Sequence, residues 1–113
     1  MLSNPRSVEW LALLHENLRL ASEVTSAGRE EFLASPALQL AGEALVMRVG
    51  DLAKKLLSSE PGLEEDAVWK SAARTRDFVA HHYHRVDRDV LWETVTASFS
   101  ELRQKANHLQ SGV

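Results

Sequence analysis

Cysteine is absent from this 113-residue chain, so neither a disulfide framework nor a thiolate-ligated metal can form. Long apolar runs are also missing. The apolar residues near the start, Trp10, Leu11, Leu13 and Leu14, are interrupted by His15, Glu16, Asn17 and Arg19. That pattern is no secretion signal, and nothing approaches the roughly 20 consecutive apolar residues that a membrane-spanning helix requires. An excess of positive charge is lacking as well. Thirteen Lys/Arg against sixteen Asp/Glu give a net charge of −3, which argues against a general nucleic-acid coat protein, whose affinity comes from neutralising many phosphates. No segment shows the apolar/polar alternation of a half-buried strand. A soluble cytoplasmic protein with no membrane partner is expected.

What is present suits one domain over residues 1–113, with 44% hydrophobic and 26% charged residues. A chain of this size buries roughly two thirds of its unfolded surface, enough for one core. Asn4-Pro5 reads as a helix cap followed by proline in the first turn. The stripe of Trp10 or Leu11, Leu14, Leu18, Ala21 and Thr25 then predicts a first helix ended by Gly28, with Leu13 and Leu20 broadening its apolar face. A short helical piece over 29–34 leads to Ser35-Pro36 and a second long helix over about 36–58. One of its stripes is Leu38, Ala41, Leu45, Val49, Leu52 and Leu56; another is Leu40, Ala44 and Met47, which predicts packing on both sides. Ser58-Ser59-Glu60-Pro61-Gly62 is the clearest break. A third helix starts near residues 64–66. Asp87 caps a fourth, carrying Leu91, Val95, Phe99, Leu102, Ala106 and Leu109 at helical spacing. The expected fold is an all-α, up-and-down bundle of four to five helices.

Chemistry concentrates in Arg74–Arg88, RTRDFVAHHYHRVDR. Three of the five histidines lie here, with the only tyrosine, Tyr83. Between Lys70 and Arg88, five Lys/Arg against two Asp give a local net charge of +3 before any histidine protonates, enough to focus on a few phosphates. On a regular helix at roughly 100° per residue, Val68, Trp69, Ala72, Val79, Ala80 and Tyr83 share the core-facing side with Arg76. Lys70, Arg74, Asp77 and His81 form a polar stripe, His81 about 140° from Arg76. Either the helix bends or ends between Ala80 and His84, or a second subunit completes the site. Phe78 is expected to be exposed among the charges. Asp77, one turn before His81, is placed either to orient that imidazole or to pair with Arg74. Asp77, His81 and His84 have a spacing that permits metal ligation, but no second helix offers an evident fourth ligand, and no metal or other cofactor is expected. Trp10, Trp69 and Trp92 read as packing anchors.

Arg76, four residues, then His81 and Tyr83 resembles the signature of HEPN-domain proteins, in particular the HepT-like toxins. Trp69, Val86-Asp87 and the VLWETV run at 90–95 look like the same family in the same order. Upstream, Val49-Gly50-Asp51-Leu52-Ala53-Lys54-Lys55-Leu56 is similar to that family's Ile-Gly-Glu-Ala-Ala-Lys-Lys-Leu helix, departing at Asp51 and Leu52. Asp77 departs too, the family often having Asn there. The resemblance covers roughly residues 36–100.

The resemblance implies a homodimeric, metal-independent RNA endonuclease, the toxin of a toxin–antitoxin pair. His81 would exchange protons with the ribose 2′-OH or the leaving oxygen, and Arg76 would hold the phosphate, with Asp77 and Arg74 supporting. Tyr83 would accept adenylate from an MntA-like nucleotidyltransferase antitoxin. The competing reading is a noncatalytic helical adaptor that binds nucleotide or a nucleotidyltransferase through the same cleft.

Overall fold

Capped prolines start both long N-terminal helices. Asn4 Oδ1 accepts from the Arg6 amide at 2.9 Å, Pro5 fills the first turn, and α1 runs Pro5–Val24. Gly28, at φ +96°, does not end α1, which closes at Thr25; it takes the left-handed turn into α2, Arg29–Ala34. Ser35 Oγ then accepts from the Leu38 amide at 3.1 Å and α3 runs Pro36–Ser59. After a 3₁₀ turn, Pro61–Glu65, Asp66 Oδ1 caps the Val68 amide at 2.9 Å and α4 spans Ala67–His82. Asp87 Oδ1 takes the Asp89 amide at 2.7 Å and starts α5, Arg88–Glu93. A π-helical stretch, Thr94–Ser98, and α6, Phe99–Ser111, continue it directly. The computed structural model describes residues 2–82 and 86–111.

Among the described residues every element is helical, in the all-α bundle expected. The helix α3 is central, packing against α1 and α4 and touching α2 and α5. Leu45, Val49, Leu52 and Leu56 are buried along it, and Leu91, Val95, Phe99, Leu102 and Ala106 are buried along the last rod, as their spacing predicts. Trp69 is 1% exposed, and Trp92 meets Phe32 at 5.4 Å between ring centroids.

Three expectations give way. Leu40, at 67% exposure, and Ala44 face solvent, and of the expected second stripe Met47 alone packs against the core. The reason lies with α2. It lays Phe32 against Gly42, where an added Cβ would come within 3.1 Å of the ring, and Leu40 and Ala44 lie about 160° around the helix from that contact. Leu13 is likewise exposed, about 100° from the buried Leu14. The π-helical stretch is the third departure. Thr94 and Thr96 hydroxyls donate to the carbonyls of Val90 and Trp92 at 2.9 and 2.6 Å, competing with the backbone amides for those acceptors and loosening the turn.

The C-terminus of α3 is pinned to the start of α1 by one carboxylate. Glu60, 6% exposed, accepts from the Ser3 amide and hydroxyl, the Asn4 amide, and the Ser7 hydroxyl at 2.7 Å. Burial alone would raise its pKa; the hydrogen bonds from Ser7, Ser3 and Asn4 together outweigh that and lower it.

Candidate functional site

The helix α4 lies across α3 at Gly50. A Cβ there would overlap Arg76 Cβ and stand 2.7 Å from its Cγ, so the missing side chain is what admits the arginine stem. The guanidinium therefore emerges between the helices with its side chain 27% exposed. Its Nε is buried 3.3 Å from Asp51 Oδ1, close enough for an ion pair but poorly aligned for a hydrogen bond. Its Nη1 donates to Asp77 Oδ1 at 3.3 Å. No described hydrogen bond or ion pair takes up Nη2.

The partner of Asp77 is neither of those anticipated. Lys54 reaches across from α3 and donates to Asp77 Oδ1 at 2.7 Å, and it is this bond, more than the contact with Arg76, that lowers the carboxyl pKa. Neither Arg74 nor His81 is among the described partners of Asp77, because the crossing of α3 brings a lysine closer than either residue of its own helix. Two cations from different helices thus converge on one carboxylate oxygen.

His81 sits exposed near the end of the described part of α4. It lies five residues past Arg76, about 7.5 Å along the axis and about 140° around it. The two are therefore not brought together by the described part of one copy of the helix. Arg74 is exposed on the same polar flank, as is Lys70, which lines a shallow depression with Lys54, Ser58, Glu64 and Glu65. Phe78 is 53% exposed and stacks on His82 at 4.7 Å, while His82 Nδ1 approaches the Phe78 carbonyl at 3.1 Å. Tyr83, His84 and Arg85 lie outside the described residues. Arg88, counted with the motif's arginines, is committed elsewhere: its Nη1 donates to the Leu33 carbonyl at 2.8 Å and ties α2 to α5.

The best-formed hollows are not at these charges. A groove of about 260 Å³ lined by Val46, Val49, Ala72, Thr75, Thr94 and Phe99 occupies the other flank of α4. A smaller one of about 160 Å³ adjoins it beneath Phe78 and Val90. Both are mostly apolar, and the charged residues lining them, Glu101 and Asp87, are acidic and repel an anion, so the polar chemistry belongs to the Arg76 flank. Gly50, Asp51 and Lys54 were not singled out as site residues from the sequence. The signal that marks them is their place in the helix similar to the Gly-Glu-x-x-Lys run of the HEPN resemblance.

Fold and site together define the class: a small all-α bundle that carries an Arg–x4–His pair on one helix, the arginine bracketed by carboxylates. Comparison with known proteins narrows that class. The Ribonuclease HepT-like family matches residues 14–109, and the chain belongs to that family. It is 29% identical over 103 residues to a protein of Thermococcus cleftensis named a probable ribonuclease HepT, a match covering 90% of this chain and 94% of that one. It is 26% identical over 97 residues to a protein of Caldanaerobacter subterraneus subsp. tengcongensis that carries an RNase name, covering 86% and 87%. No solved structure matches the chain significantly. Among the described residues no helix is long and apolar enough to cross a membrane.

Proposed function

We infer that the protein is an RNA endonuclease working without a metal, the toxin of a toxin–antitoxin pair in the cytoplasm. The observation that carries this reading is the Arg76 socket: a guanidinium seated at the α3–α4 crossing by Gly50 and Asp51, its Nη2 in none of the described hydrogen bonds or ion pairs, on the helix that also carries exposed His81. Such an arginine holds a phosphate and stabilises charge gathering on its oxygens during displacement. The imidazole takes the proton from a ribose 2′-OH, or returns one to the departing 5′ oxygen.

Because Arg76 and His81 diverge, the working site is a cleft of a homodimer into which both copies bring their motifs. Exposed Phe78 and Val90, beside the small apolar groove, supply the kind of surface a second copy would cover. Tyr83, two residues beyond His81, is the regulatory handle. An MntA-like nucleotidyltransferase antitoxin attaches adenylate there, and the bulky anion fills the space an RNA phosphate needs.

Arg76→Ala and His81→Ala should each lower RNA cleavage in the presence of EDTA by at least about a hundredfold. Both variants should keep the helical circular dichroism of the unmodified protein. If both cleave at undiminished rates, the site lies elsewhere.

A further inference from the structure

Lys54 is a residue that the motif reading leaves without a task, and its position suggests one. Its ammonium and the Arg76 guanidinium come from different helices, α3 and α4, and meet on the same atom, Asp77 Oδ1, at 2.7 and 3.3 Å. A carboxylate oxygen held by two cations occupies the kind of position a phosphate oxygen takes, since both are anionic acceptors with the same hydrogen-bond lengths. The two ends of this arrangement differ in how firmly they are fixed. Asp51 sits at the buried Nε of Arg76 and steadies the guanidinium from below. Asp77 and Lys54 are 43% and 45% exposed, so both side chains have room to rotate on the surface.

We propose that Asp77 is a built-in placeholder for a substrate phosphate, and that Lys54 is a second phosphate-binding residue of the site. When an RNA phosphate arrives, the Asp77 carboxylate swings outward. One phosphate oxygen then takes its place between Lys54 Nζ and Arg76 Nη1, with Nη2 open to a second oxygen, while Asp51 keeps the arginine in register. No bond is made or broken in this exchange; one anion replaces another. The consequence is competition. An uncharged side chain at position 77 relieves the phosphate of a rival for both cations, and Lys54 has work to do even when Asp77 no longer needs a counterion.

That last point separates the proposal from an ordinary surface ion pair and defines its test. The proposal rests on the RNA reading above, so the probe is a 2′-O-methyl RNA oligonucleotide, which cannot be cleaved at the 2′ position. Its affinity is measured across a salt series for the unaltered protein, Asp77→Asn, Lys54→Ala and the Asp77→Asn/Lys54→Ala double variant. Asp77→Asn should bind several-fold more tightly. In that background Lys54→Ala should weaken binding several-fold and reduce the slope of log affinity against log salt by about 0.7, the share of one phosphate on a single strand. If Lys54→Ala has no effect once Asp77 is Asn, the lysine is only a counterion and the proposal falls while the RNA reading stands. If none of the four forms binds the oligonucleotide, both fall. Unchanged helical circular dichroism in all four excludes a folding artefact, as expected for side chains this exposed.

Discussion

Glu60 and Asp77 are both carboxylates clamped between helices, yet they are held in opposite ways. Glu60 is almost fully buried and accepts from hydroxyls and backbone amides on short, fixed arms: Ser3, Asn4 and Ser7. The Ser7 hydroxyl also lies 2.7 Å from Ser59 Oγ, and with its carboxylate fixed by several short-armed donors Glu60 behaves as a joint between α1 and α3. Asp77 is half-exposed and is held by the ends of two long cationic side chains. Long flexible arms lose entropy when held, and water screens an exposed pair, so such contacts stabilise a fold little. Buried neutral donors on one acid make structure; exposed cations on one acid add little to it, which is what the proposed exchange of Asp77 for a phosphate requires.

That contrast is breakable by substitution. Glu60→Ala takes the acceptor from the Ser3 and Asn4 amides and leaves the buried Ser7 hydroxyl with Ser59 Oγ alone, and should cost about 2–3 kcal/mol in urea unfolding. The Glu60 pKa is lowered in the folded protein. Its stabilisation is therefore complete above the ordinary glutamate range and is lost as pH falls through the depressed value. The gap between the Ala variant and the unaltered protein should accordingly narrow in acid. Next in size is Gly50→Ala. Its methyl group has no room beside the Arg76 stem, so α3 and α4 must part, at about 1–3 kcal/mol. RNA cleavage should fall along with stability, because the same displacement moves the guanidinium. Asp77→Ala should leave the unfolding midpoint where it is. A large loss there would make Asp77 a second structural joint and erase the distinction.

How much of this was legible beforehand follows from the range of each signal. Caps and stripes are local, so Asn4-Pro5, Ser35-Pro36, Asp87 and the buried faces of α3 and α6 were readable. The inward side of Arg76 was readable from the wheel alone. The Lys54–Asp77 contact spans 23 positions in sequence and depends on where α3 crosses α4, which no periodicity encodes. Leu40 misled for the same reason: its stripe was sound, but α2 covers the Gly42 side instead. Gly50 carried a partial clue. A glycine inside a helix costs about 1 kcal/mol relative to alanine, and here the arginine stem is what fills the space.

The chemistry assigned to His81 and Arg76 is most directly tested by the ends of the cleaved RNA. With EDTA present, purified protein should leave a 2′,3′-cyclic phosphate on one fragment and a 5′-hydroxyl on the other, and a single 2′-deoxy residue at the cut should block cleavage there. Cleavage that requires a divalent metal, ignores the 2′-deoxy residue and leaves 3′-hydroxyl and 5′-phosphate ends would contradict the account.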